Sequence, residues 1–242
     1  MARLRTAANA MTLAQHLAEA RRRFLWCCAA IGAMGTVAFF FYPQILHFLQ
    51  QPYCNASPGK CAFLVTNPLD GLTLRFKISL FGGFLLAFPV VLWHIWRYVT
   101  PGLKANERRY AWPFVLSSVL FFAGGVGVAY FTFNHAIAWL QSIGGTQLIS
   151  EYNPNQYLML FLLMMLIFGL TFEFPVVLVA VQLARLVSPR RLLAQWRYAI
   201  IGITIFSAAV TPSSDPFSML ALAIPLTVFY FLAIAFGKIC RR

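Results

Sequence analysis

Long apolar stretches alternate with short polar segments over nearly the whole chain, and most of the polar segments are basic. The pattern predicts an all-α, polytopic membrane protein of six transmembrane helices, over residues 24–49, 71–98, 110–140, 156–186, 198–210 and 217–236, in a single domain covering 1–242. The first four exceed the ~20 residues that a helix needs to cross a bilayer. Residues 1–23 form a basic cytoplasmic arm, in which Thr12 and Gln15 fit a capping box. Leu13, His16, Leu17, Ala20 and Phe24 recur at helical spacing, as in a helix that grazes the surface before entering.

The last two spans are short. Residues 198–210 fall well below ordinary crossing length, and Pro225 interrupts 217–236. Joined by the turn from Thr211 to Pro216, they make either two short crossings that thin the bilayer locally or a hairpin that never fully crosses. Both arrangements return the chain to the same side. Pro89 is expected to kink the second span, because proline removes a backbone donor.

Composition sharpens the class. Hydrophobic residues make up 60% of the chain and charged ones only 10%, whereas soluble domains are roughly a quarter charged. A net charge of +13 would suggest nucleic acid in a soluble protein. Here the charges lie between apolar runs, which points to orientation and to the anionic headgroups of the lipid bilayer, with no nucleic-acid partner. With six spans, all of the 19 Lys and Arg residues except Lys60, Arg75 and Lys77 fall on one face. The positive-inside rule then puts both termini in the cytoplasm. The first apolar run is too long for a cleavable signal peptide, and no small-residue cleavage site follows it.

Little else points to chemistry. Cys54 and Cys61 bracket the first external loop; in an oxidising compartment they close a small disulfide loop, and otherwise they are two free thiols. Cys27 and Cys28 read as small apolar residues of the first span, and Cys240 as a reduced cytoplasmic thiol. No cysteine has metal-ligand spacing, and the four histidines are scattered over different spans and both faces. There is no HExxH, GxSxG, SxxK or phosphate-binding loop. Neither an enzyme nor a cofactor is expected.

Two acids stand out. After Trp93, Trp96 and Tyr98, aromatics of the kind that collect at headgroup depth, the loop at 99–109 carries Lys104, Arg108, Arg109 and a single acid, Glu107. It is either a topology-setting basic loop or a receptor for something cationic. Glu173 lies near the middle of the fourth span, two residues before Pro175. An acid at that depth costs roughly 2.5–3.5 kcal/mol on insertion scales and needs a protein partner, water or a proton. It is either satisfied by a neighbouring helix of the same chain or is a docking point for another subunit's helix.

Together these features resemble the TatC family, the receptor subunits of the twin-arginine translocase. The resemblance runs from about Thr12 to the end. It rests on His16 to Arg21; Pro89 to Tyr98 with Thr100 to Leu103 and Glu107 to Arg109; Phe168 to Pro175; and Thr211-Pro212 with Asp215. It implies a glove-shaped six-helix bundle in the prokaryotic cytoplasmic membrane. Its cytoplasmic face would bind the twin-arginine signal peptides of folded precursors through Glu19, Arg21, Tyr98 and Glu107. Glu173 would be the intramembrane docking point for single-span TatA and TatB subunits in a multi-subunit complex, with export driven by the proton-motive force. The short fifth and sixth spans would match the TatB-facing and thinned-membrane sides. Asp70 and Asp215 would belong to external turns. Ala20 stands where leucine is frequent in the family, and Asp70 where glutamate is common.

The residues support a mechanism beside the resemblance. Two carboxylates from separate segments can each take one guanidinium, whose planar fork suits bidentate pairing, while lysine is a point charge without that fork. Exposed ion pairs are weak, so affinity must also come from the apolar segment of the signal packing along the concave face. Glu19 is spaced to pair internally with Arg22 or Arg23, a competition that would discourage arbitrary cations. Two other classes stay open. One is a proton-coupled small-solute transporter using Glu173, although few polar side chains near it could line a path; the other is a structural membrane scaffold.

Overall fold

The structure, a computed structural model, describes residues 13–56, 63, 65, 67–99, 111–144, 153–183, 185–213 and 215–240. Among them are nine helices and no strand: α1 (Leu13–Phe40), α2 (Tyr42–Ala56), α3 (Asp70–Val99), α4 (Ala111–Gly144), α5 (Pro154–Thr171), α6 (Phe174–Leu183), α7 (Pro189–Ala194), α8 (Trp196–Val210) and α9 (Pro216–Cys240). Five helical segments are long and apolar enough to cross a membrane: Ala14–Phe40, Asp70–Tyr98, Trp112–Ile143, Pro154–Leu183 and Pro216–Ile239. Trp196–Val210 is a shorter apolar helix. The fold is therefore an all-helical, multi-pass membrane architecture. Thr12, half of the expected capping box, lies outside the described residues.

Local chemistry explains where helices begin. Asn153 precedes Pro154, and its side chain accepts the Asn155 amide at 2.9 Å. Ser188 precedes Pro189 and accepts the Arg191 amide at 3.3 Å. Asp215 precedes Pro216, and its Oδ1 accepts the Ser218 amide at 2.7 Å. Each pair combines a short polar acceptor for a free first-turn amide with a proline whose missing N–H costs nothing there.

Proline also explains where helices break. The first expected span divides at Phe41 into α1 and α2. Pro43 cannot donate to the Phe39 carbonyl four residues back; the Arg75 guanidinium of α3 donates to it instead, at 3.2 Å. The same guanidinium lies 4.1 Å from the Phe39 ring centroid, a cation–π contact. The fourth span divides into α5 and α6 for the same reason, because Pro175 has no N–H for the Thr171 carbonyl. The Glu173 amide tightens the chain there by bonding to Leu170 O at 3.1 Å, and the ladder resumes with Val177 N–H to Glu173 O at 3.0 Å. Pro89 sits inside α3 without dividing it, and Pro225 likewise sits inside α9, so the expected interruption of the last span does not occur.

Packing places α5 at the centre, with Leu158, Phe161, Met164 and Phe168 fully buried. Phe161 stacks on Phe133 of α4 with centroids 4.2 Å apart. A Cβ on Gly125 of α4 would stand 2.6 Å from the Phe168 carbonyl oxygen, so only glycine allows this approach. Helices α1 and α3 run antiparallel and cross as closely: a Cβ on Gly83 would stand 2.5 Å from Gly35 Cα. Helix α9 is tied to α6 by Gln182, which donates to Ala233 O at 3.2 Å, and to α7 by the Tyr230 hydroxyl, which donates to Leu192 O at 2.7 Å.

Candidate functional site

The antiparallel α1–α3 pair brings the start of one helix to the end of the other. There the His16 ring stacks on the Tyr98 ring, with centroids 4.5 Å apart and planes 22° from parallel. One turn along α1 from His16, Glu19 accepts from Arg23, whose Nε lies 3.0 Å from Oε1 and whose Nη2 bonds to the same oxygen. The charges of His16 and of Arg97 on α3 also act on Glu19. Two of the sequence-predicted residues, Glu19 and Tyr98, therefore share one end of one helix pair. Arg21 is exposed on the same stretch of α1. Of the two internal partners that spacing allowed Glu19, the structure selects Arg23.

The beginning of α4 joins this end. Trp112 packs on Trp93 with centroids 5.6 Å apart, and Phe114 stacks on Trp96 at 4.9 Å. Glu107, with Lys104, Arg108 and Arg109, belongs to the segment between α3 and α4, and all four lie outside the described residues.

Glu173 occupies the break between α5 and α6 and is half-buried. Ser118 of α4 is its polar neighbour. Neither the Ser118 hydroxyl nor Glu173 Oε1 has a hydrogen-bond partner. The break thus leaves a carboxyl oxygen unsatisfied at a point where the backbone ladder is interrupted.

Asp70 and Asp215 lie at the opposite end of the bundle. Asp70 Oδ2 accepts the Asn67 amide at 3.2 Å, and Oδ1 accepts the Asn155 side-chain amide at 2.8 Å. Lys77 Nζ in turn donates to Asn155 Oδ1 at 3.2 Å. This chain of contacts ties the start of α3 to the start of α5. Sequence reading missed Lys77 and Asn155, although the Asn153-Pro154-Asn155 helix start was a local signal for the second. Asp215 is 1% exposed, and its role in the structure is to cap α9. Cys54 is disulfide-bonded, and Cys61 lies outside the described residues. No group of three or more His, Cys, Asp or Glu residues that could hold a metal occurs among the described residues.

The fold and these sites define a multi-pass helical membrane protein with charged chemistry at its helix ends and one acid at a mid-span break. The family model of TatC, Sec-independent protein translocase protein, matches residues 15–225. A Sec-independent protein translocase protein TatC of Frankia casuarinae is 37% identical over 243 residues, covering 96% of this chain and 67% of that protein. One of Corynebacterium kroppenstedtii is 32% identical, covering 96% of this chain and 62% of that protein. The chain thus spans about two thirds of the length of these two relatives. A crystal structure of the twin arginine translocase receptor TatC superposes with a TM-score of 0.78 at 31% identity, covering 94% of this chain and all of that one. The chain belongs to the TatC family, whose members are protein translocase components and not enzymes.

Proposed function

We propose that this chain is the receptor and core subunit of a twin-arginine protein translocase, binding the twin-arginine signal peptides of folded precursors at its cytoplasmic face. The observation that carries the reading is the meeting of Glu19 and Tyr98 at one end of the α1–α3 pair, beside the start of α4. Glu107 precedes α4 by four residues in the sequence. On this reading Glu19 and Glu107 each take one guanidinium. The planar fork of arginine pairs with a carboxylate bidentately, and lysine cannot reproduce it. Tyr98 offers a face for the flat guanidinium or for an apolar neighbour, and Arg21 repels a mis-registered cation. Since exposed ion pairs contribute little, the apolar part of the signal supplies the remaining affinity by packing along the bundle.

Glu173 is assigned to docking of TatA- and TatB-type single-span subunits. An unsatisfied carboxyl oxygen beside a broken helix is suited to a polar group on a partner's transmembrane helix, because an unpaired polar atom in hydrocarbon is costly. The complex so formed exports its cargo with energy from the proton-motive force. On this reading the chain is a single domain of the prokaryotic inner membrane with both termini in the cytoplasm, an orientation supported by the excess of basic residues on one face.

Site-specific photocrosslinking from positions 19 and 107 to a radiolabelled twin-arginine precursor tests the reading. Glu19→Ala and Glu107→Ala should each weaken crosslinking and peptide binding, and the double variant should be worse. Undiminished capture of the precursor by the double variant would remove the receptor assignment.

A further inference from the structure

The empty site holds a guanidinium of its own. Arg23 directs both Nε and Nη2 at the same oxygen of Glu19, Oε1, while Oε2 has no hydrogen-bond partner among the described residues. The side chains of Arg23 and Glu19 are 16% and 22% exposed, so neither is a freely waving surface group. Arg22, next in sequence, is exposed and makes no ion pair among the described residues. Arg97 and His16 act on the same carboxylate electrostatically, more weakly than Arg23. A pair four residues apart on a helix ordinarily stabilises that helix slightly. This one joins the very acid that the peptide needs, using the functional group that the peptide brings.

We propose that Arg23 is a built-in competitor for the Glu19 carboxylate, which every arriving cation must displace; this rests on Glu19 belonging to the peptide site. The open Oε2 gives the incoming guanidinium a first point of attachment before Arg23 leaves, so exchange needs no bare carboxylate. An internal competitor divides the affinity of every ligand by the same factor. It therefore raises the threshold for occupancy without altering the ranking of ligands, which stays with fork geometry. Lone cationic side chains, abundant on cytoplasmic proteins, fall below that threshold. A signal that also engages a second carboxylate and an apolar surface exceeds it.

The test uses the full chain in nanodiscs of phosphatidylethanolamine and phosphatidylglycerol. Two fluorescent peptides, differing only in Arg-Arg against Lys-Lys, are titrated by anisotropy. Arg23→Gln should tighten both peptides by a common factor of about two to five beyond Arg22→Gln, which removes the same charge without breaking the pair. Arg23→Lys should fall between Arg23→Gln and the parent, because it keeps the charge and loses the fork. The gain should vanish when Glu19→Gln is already present. A gain is a readout that misfolding does not produce. Equal binding by Arg23→Gln and Arg22→Gln, weaker binding by Arg23→Gln, or a gain that survives in the Glu19→Gln background would each overturn the proposal. If Glu19→Gln alone binds both peptides as the parent does, the receptor reading itself fails and the competitor falls with it.

Discussion

Arg75 shows how one residue can stand in for a missing backbone group. Pro43 deprives the Phe39 carbonyl of its helical donor, and Arg75 reaches across from α3 to supply one while resting on the Phe39 ring. Arg75→Met should leave that carbonyl unpaired and cost about 1–3 kcal/mol, read as a lower thermal midpoint in detergent. Arg75→Lys should recover only part of the loss. Gly83 is constrained differently, by the Gly35 backbone facing it. Gly83→Val should force α1 from α3 at a cost of about 1–3 kcal/mol, and should weaken peptide binding as well, because the same helix pair carries Glu19 and Tyr98. A variant as stable as the parent would argue against the close crossing. At the end of α6, Arg185 adopts a left-handed backbone with φ 60°, and the Leu186 amide reaches the Val181 carbonyl at 3.2 Å. That cap geometry favours glycine, so Arg185→Gly should raise the thermal midpoint, a gain of about 1 kcal/mol at most.

At the scale of elements, the divided helix α5–α6 is the one whose interruption carries an acid. Pro175 opens the ladder, the Glu173 amide folds back on Leu170, and the carboxyl is left with an unsatisfied oxygen. On the proposed reading Glu173→Ala leaves twin-arginine peptide binding intact, yet lowers export of a folded reporter and co-purification of single-span partners. Loss of peptide binding with partner assembly unharmed would reverse the assignment. Pro175→Ala restores a backbone N–H at that position, which should bond to the Thr171 carbonyl, straighten the helix and reduce partner recruitment without lowering stability. Helix α8 makes the contrasting case. Its 15 residues would reach only about 22 Å, short of a hydrocarbon core of about 30 Å, so its length forces local thinning of the bilayer or a shallow insertion.

For the molecule as a whole, the alternation of charge fixes an expected orientation that can be measured directly. In a cysteine-free background, Arg190→Cys should react with a membrane-impermeant maleimide only after the cells are opened, whereas Gln51→Cys should react in intact cells. The opposite labelling would invert the topology and with it the face assigned to signal recognition. The two ends of the bundle also differ in how their charges are used. The Asp70–Asn155–Lys77 chain ties α3 to α5, and the Asp215 cap closes the first turn of α9. The end bearing Glu19, by contrast, holds its acid in a pair between side chains of one helix, which on the proposed reading the signal peptide displaces.

What the sequence determined by itself is what depends on neighbours along the chain. Apolar run lengths marked the spans, because bilayer thickness sets helix length. Asn153-Pro154, Ser188-Pro189 and Asp215-Pro216 carry the same local kind of signal, because capping depends on adjacent residues, although the expected loops and spans placed no helix start on them. Pro175 beside Glu173 marked the notch. The tertiary structure alone decided which partner Glu19 takes, that His16 reaches Tyr98, and that Arg75 completes the carbonyl orphaned by Pro43. These contacts join segments 36 and more positions apart, or choose between two equally available arginines on one helix. Such outcomes depend on how helices cross and rotate against one another, which hydrophobic periodicity constrains to a face but not to a register.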